Sequence, residues 1–444
     1  MQRISSIFSF KLSGFKKGIA AVITVILAAA GIYVHSRVVM RRDVSNNKSS
    51  FFKDRTYDVL FFGSSHVKDG ISPLQLYKNY GITAYNLATD VQKPPVSYYV
   101  LKEAVRFHKP KLAVLDVYNC RLNYPEEPEE DEKSRFHRIF DNFPFSLNKT
   151  EAAKELSVDS AWWQGLLFPY SVYHSRWAET DIPFRLLWNE NSFWEKNMAN
   201  GFTPLFRLQR DVSDYEAMRR VNKNEYLTEE NTDGIAYVKR FVSFCLENGM
   251  QPVLVYLPPA CGVLQQKAAN SMQRIAAEMR VPYYNFLPNE AEIIDCYIDF
   301  YDCLVGKENI EHDTSLNGNI HLNLSGAQKM TSCLGAILRR DFALQDHRGK
   351  RGYEAWDKDY QTYRSYILGE IGKFGNLDQI LMACSFEGLT TTLYASPDTA
   401  FDDVQQRLIA QLGNRITVIR DYDGYARIVV TDDESGSIVA DVSF

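Results

Sequence analysis

Short apolar runs alternate with amphipathic stretches along most of the chain. Tyr57–Phe62 (YDVLFF), Ala84–Leu87, Leu112–Val117 (LAVLDV), Val253–Leu257 and Val281–Phe286 are too short for helices, and turn-forming residues bound them. They show little polar–apolar alternation, which predicts strands covered on both faces. Between them the apolar period lengthens. Val96–His108 reads as a helix that stops before Lys109-Pro110, where proline disfavours further helix. Gly262–Arg280 reads as a long helix, and Ser325 opens another, with Gln328 three residues on as a capping box. Strands alternating with helices predict an α/β domain built on a parallel sheet.

Three regions break this rhythm. Residues 121–235 separate the third strand from the fourth. They open with an acidic run, EEPEEDE (126–132), and continue with the aromatic tracts AWWQGLLFPYSVYHSRW (161–177) and FRLLWNENSFW (184–194). This predicts a helical insertion whose aromatics form its own core or a wall over one end of the sheet. Residues 344–375, rich in Lys, Asp and Tyr, read as a connector. From Asn376 to Phe444 the elements become short, which predicts a small α+β domain. The main α/β domain then spans 51–343.

The first 50 residues form a unit of their own. Arg3, Lys11, Lys16 and Lys17 precede Gly18–Val34, a stretch of 17 residues without charge. A chain-initial apolar run behind basic residues predicts a membrane anchor with a cytoplasmic N-terminus and an outward body. Ala28-Ala29-Ala30 leaves open a cleaved signal sequence. Residues 35–50 are polar and basic, a linker.

With 444 residues the chain is too long for one ordinary core. The net charge of −5 excludes a general nucleic-acid binder, which would carry a basic domain. The seven cysteines form no CxxC pair, so no zinc site is expected; most read as buried, reduced core residues. No other metal or cofactor is expected.

The chemistry lies where the first strand ends. YDVLFF runs into GSSH, at the carboxyl end of a parallel strand, where open α/β sheets bind ligands. Serine and glycine are ordinary turn residues, so the turn alone decides nothing. A nucleophilic serine needs a base. Of eight histidines, His321 in NIHLNLSGAQKM sits just before the last helix of the sheet domain, from which it can reach the same rim.

GSSH after the first strand, YNLA after the second, LDVYN after the third and HLNLSGAQK near the end together resemble the SGNH (GDSL-like) hydrolase superfamily. The likeness extends to its membrane-anchored bacterial cell-surface branch and covers about residues 50–340. It implies a flavodoxin-like fold. It also implies Ser65 as nucleophile, with Ser64 in place of the usual aspartate, and His321 as base. An oxyanion hole would come from the backbone N–H groups of Ser65 and Ala88 and from the side chain of Asn119. His66 is a second polar wall or a turn residue. The family places its acid three residues before the histidine, where this chain has Gly318. Asp302, in the DFYD run 19 residues before His321, is the displaced acid on this reading; Asp313 is the local alternative. A Ser–His pair without acid also occurs in the family. The C-terminal segment is weakly similar to an interleukin-like domain.

The expectation is a membrane-anchored extracytoplasmic serine esterase or O-acyltransferase acting on cell-envelope polysaccharide or another acylated glycan. The missing acid spacing supports an alternative: a catalytically degenerate binding or scaffold subunit beside a membrane-bound acyltransferase.

Overall fold

The computed structural model describes residues 14–39, 48–52, 55–124, 136–137, 139–141, 143–157, 160–167, 199–208, 221–258, 262–287, 303–305 and 320–444. Its centre is a parallel sheet of five strands: β1 (Val59–Phe62), β2 (Ala84–Asn86), β3 (Leu112–Asp116), β4 (Gln251–Tyr256) and β5 (Tyr283–Asn285). Their order across the sheet is β2-β1-β3-β4-β5, the flavodoxin-like order. Every residue of β1 and β3 is buried, as expected for strands with helices on both faces. The order reverses between β1 and β3, so the chain leaves these neighbours in opposite directions and opens a crevice at their carboxyl ends.

The helices of this domain are α2 (Ser65–Gly70), α3 (Pro73–Tyr80), α4 (Pro94–Ala104), α7 (Asp233–Glu247), α8 (Val263–Met279) and α9 (Leu324–Asp341). The N-cap of α9 is Asn323, whose side chain accepts from Gly326 N–H, and not Ser325. Asparagine caps as well as serine does, and Leu324, fully buried, belongs inside the helix. The helix predicted over Val96–His108 starts at Pro94, since proline fits a first turn, and gives way to tighter turns after Ala104.

The insertion contributes α5 (Leu147–Leu156) and α6 (Ser160–Leu167); most of its two aromatic tracts lie outside the described residues. Buried Glu103 of α4 fastens it, accepting from Ser146 Oγ and Asn148 Nδ2 at 2.9 Å each. Its return, residues 199–208, runs along the outer edge of the sheet. Asn86 N–H donates to Asn200 O, Thr203 N–H to Lys68 O, and Leu324 N–H to Leu205 O. It thereby braces α2 and the start of α9, the two pieces that flank the GSSH turn.

A hairpin absent from the sequence reading precedes α9. β6 (Cys303–Val305) pairs antiparallel with β7 (Ile320–Leu322), with Leu304 opposite His321.

The connector is not a loose tether. It contains α10 (Glu354–Ile371), whose Trp356 packs against Tyr57 and Tyr77 of the sheet domain. Its other end serves the C-terminal module, which comprises α11 (Leu377–Ala383), α12 (Asp403–Leu412) and a four-stranded sheet. The strands are β8 (Leu389–Ala395), β9 (Ile416–Ile419), β10 (Ala426–Asp432) and β11 (Ile438–Ser443), in the order β11-β10-β8-β9. Buried Arg364 of α10 pairs with buried Asp432 of β10.

At the other end of the chain α1 (Gly14–Val39) is a helix of 26 residues. Ile19, Val22, Val25, Ile26 and Leu27 are all exposed on it. Its charge-free run, Gly18–Val34, accounts for about 26 Å at 1.5 Å per residue, short of the about 30 Å of a bilayer's hydrocarbon core. Among the described residues no helix is long and apolar enough to cross a membrane, so the predicted transmembrane helix is not supported at this level. The linker is shorter than predicted: Lys48 and Phe51 are already buried, and Phe51 packs against Tyr57, Tyr85 and His108.

The described cysteines agree with the expectation that most are buried and reduced, with one exception. Cys120, Cys245 and Cys384 are free and buried, but Cys333 of α9 is disulfide-bonded.

Candidate active site

The GSSH turn converts β1 into α2 within three residues. Gly63 has φ +148°, and a Cβ there would lie 2.7 Å from Val67 Cγ2 and 2.9 Å from Asp116 Cβ. Only glycine suits that torsion and lets the turn lie against the end of β3. Ser64 is the N-cap of α2 and accepts from His66 N–H at 3.4 Å. Its side chain therefore serves the helix. Ser65 is the first helical residue and is buried. Ser65 Oγ lies 2.7 Å from His321 Nε2, 256 residues away in the chain. β7 carries His321 to this point, and α9, capped by Asn323, begins three residues later. With the imidazole proton on Nδ1, Ser65 O–H donates to Nε2, the arrangement in which a histidine can accept the serine proton.

The other predicted residues sit around this pair, with different engagements. His66 is buried, its ring 4.1 Å from that of Tyr118 and 5.8 Å from that of His321, centroid to centroid. Burial, reinforced by His321, pushes its pKa down to about 3, so it is neutral at ordinary pH. Ala88 N–H donates to Asn86 Oδ1 at 3.1 Å. Asn86 is itself fixed, its Nδ2 donating to Val67 O and Ile71 O of α2. Asn119 Nδ2 makes a long bond, 3.4 Å, to Gln92 O. Of the three predicted oxyanion donors, Ser65 N–H is the one with no acceptor among the described residues. That follows from its place as the first N–H of a helix. Asp302 and Asp313 lie outside the described residues; Cys303, the neighbour of Asp302, pairs with Leu322.

Two buried carboxyls that sequence reasoning missed stand close by. Asp69 occupies the position one turn after Ser65 on α2, and its Oδ2 is 4.0 Å from His321 Nε2. Lys68 Nζ lies 3.5 Å from Asp69 Oδ1 and 2.5 Å from Asp90 Oδ1. Burial raises the Asp69 pKa to about 7, against the opposing pull of Lys68. The signal was present as the spacing i, i+4, which puts Ser65 and Asp69 on one helix face. The second carboxyl is Asp116, at the end of β3. Its Oδ1 accepts from Leu257 N–H, while its Oδ2 is buried with no partner among the described residues. Burial raises its pKa to about 7 as well.

Asp116 makes stability depend on pH with a definite sign. Its folded pKa is raised above the ordinary 3.8, so the native state binds the extra proton. That contribution is complete below about pH 4 and disappears as pH rises through about 7. Three pH units correspond to about 4 kcal/mol. Asp116→Asn should match the wild type at pH 4 and exceed it in stability at pH 8 by a few kcal/mol, measured by denaturant unfolding. Parallel curves for the two proteins would contradict this.

Among the described residues no group of His, Cys, Asp and Glu could hold a metal ion. The arrangement is instead suited to a proton transfer between a serine and a histidine beside a buried carboxyl. No family model matches the chain, and no curated protein sequence does. Four solved chains match in structure. One is the crystal structure of a proposed acylhydrolase from Bacteroides fragilis NCTC 9343, similar over 68% of this chain and 99% of that one. The identity is 10% and the TM-score 0.29. A likeness of that size says nothing of activity, so the functional reading rests on the site.

Proposed function

We propose that this chain is an SGNH-type serine esterase or O-acyltransferase, membrane-anchored and extracytoplasmic, that acts on cell-envelope polysaccharide or another acylated glycan. The observation that carries the chemistry is the 2.7 Å contact between Ser65 Oγ and His321 Nε2 at the carboxyl end of β1. His321 takes the Ser65 proton as the hydroxyl oxygen attacks an ester carbonyl carbon. The oxyanion of the tetrahedral intermediate is met by Ser65 N–H. Ala88 N–H joins if it exchanges Asn86 Oδ1 for the substrate oxygen, and Asn119 joins if it releases Gln92 O. Losing one such donor typically costs about 10²–10³ in rate. His321 returns its proton to the departing alcohol oxygen, leaving an acyl-serine. Water then releases the acid, or a glycan hydroxyl takes the acyl group. On the family pattern Asp302, or else Asp313, would hold the far ring nitrogen of His321.

The prior engagement of Ala88 and Asn119 favours a second reading, a degenerate fold that binds or scaffolds within an envelope acylation system. The two part on one assay. The full chain incubated with an O-acylated polysaccharide should release free carboxylic acid or move the acyl group to a second glycan. A folded chain that binds the glycan and does neither supports the scaffold.

Two observations support the location. The uncharged run Gly18–Val34 follows basic residues, with exposed apolar side chains along α1. The disulfide at Cys333 fits an oxidising compartment. The chain should stay in the membrane fraction after an alkaline carbonate wash, with its N-terminus before Gly18. A soluble product that starts near Gly31 would show a cleaved signal instead.

A further inference from the structure

We infer that Asp69 is a positioning residue of this site, a carboxylate that holds the protonated ring of His321 from the Nε2 side. The inference rests on the reading of Ser65 and His321 as nucleophile and base. Three observations place it there. Asp69 follows Ser65 by one helical turn on α2, so the backbone that fixes the nucleophile also fixes the carboxyl. Its Oδ2 stands 4.0 Å from the nitrogen that receives the serine proton. It is 4% exposed, so water screens its charge weakly. A carboxylate on the far side of the ring fixes the tautomer; one at Nε2 acts on the proton while it is in transit. As Ser65 O–H passes its proton to Nε2, the ring becomes a cation, and the Asp69 carboxylate stands 4.0 Å from the nitrogen that carries the new N–H. At 4.0 Å it attracts that cation without occupying the hydrogen bond that Ser65 needs.

The charged and titratable groups around Asp69 come from four elements. Lys68 neighbours it on α2, at ion-pair distance, and is shared with Asp90, which lies beyond the end of β2. Lys48, in the turn before β1, adds a buried positive charge and donates to Gly201 O. His321 faces it from β7. His66, the remaining ring nearby, is neutral above pH 3 or so. Burial raises the Asp69 pKa to about 7, with Asp90 adding to the rise while Lys68 and Lys48 oppose it. At 4.0 Å a charged Asp69 favours the protonated ring over the neutral one.

The test is the Asp69→Asn variant of the full chain, read in two ways. The first is the rate at which a fluorophosphonate phosphonylates Ser65, with loss of fluoride, followed against pH. The acid limb should move down by about one unit, and the plateau should fall about tenfold. Asp69→Glu, which keeps the charge, should restore the limb. The second readout needs no activity: the pH titration of the His321 ring by NMR of histidine-labelled protein, assigned with His321→Gln. Its midpoint should fall in Asp69→Asn. Should that variant not fold, Asp69→Ser tests the same link by the same two readouts. An unmoved limb and an unmoved midpoint would overturn the role of Asp69. A wild type that the probe never labels, with a midpoint that still moves, would instead overturn Ser65 as nucleophile and leave the pairing intact.

Discussion

Ser65→Ala should abolish hydrolysis of a short aryl ester, with a loss of at least about 10⁴-fold, while Ser64→Ala should only weaken it. The two serines are adjacent but differently employed. Ser64 Oγ accepts from His66 N–H at the cap of α2, in a long bond of 3.4 Å. Losing a cap of that kind costs about 1 kcal/mol of stability. Ser65 Oγ meets the base at 2.7 Å. Removing it leaves His321 with no oxygen to activate, and Ser64 cannot substitute because its side chain belongs to the helix cap. Steady-state kinetics on the two variants, with circular dichroism to establish that both fold, measure the difference. Full activity in Ser65→Ala would sink the enzyme reading.

A chain that ends after Phe374 should fail to fold into a soluble protein. The sequence alone predicts the opposite, since 376–444 looks like an independent module behind a connector. The structure puts α10 in both cores at once. Its first half packs through Trp356 on the sheet domain, while Ile367 and Ile371 are fully buried and Arg364 is 3% exposed beside Asp432. Truncation would strip cover from the isoleucines and leave the guanidinium buried without its carboxylate. Breaking a buried ion pair on one side alone typically costs about 3–5 kcal/mol, a large share of a domain's stability. Asp432→Ala isolates that part of the loss, and its thermal midpoint should drop by several degrees. A soluble, two-state truncated chain would show that α10 is stable on the sheet domain alone.

The parallel sheet was legible because β1 and the greater parts of β3 and β4 are unbroken apolar runs, a pattern that strands buried on both faces need. The turn at Ser65 was legible from its place at the end of such a strand, and His321 from the motif before α9. Asp69 was not, because SHVKDG is too short and too polar to announce a buried helix, though all six of its residues are buried. The ladder of β6 on β7 was hidden as well: three-residue strands carry no periodicity. Nor could composition pair Cys333, since seven scattered cysteines leave every bridge open. The sharing of α10 between two cores escaped for another reason. Its Trp, Tyr and Ile residues are separated by charged ones, and an amphipathic helix with two covered faces reads as a polar connector.

The most direct measurement is mass spectrometry of the folded full-length chain after reaction with a fluorophosphonate. The account predicts a single phosphonyl adduct on Ser65, in the tryptic peptide Thr56–Lys68. The adduct should be absent from Ser65→Ala and strongly slowed in His321→Ala. An unmodified Ser65 in the wild type, or equal labelling with and without His321, would contradict it.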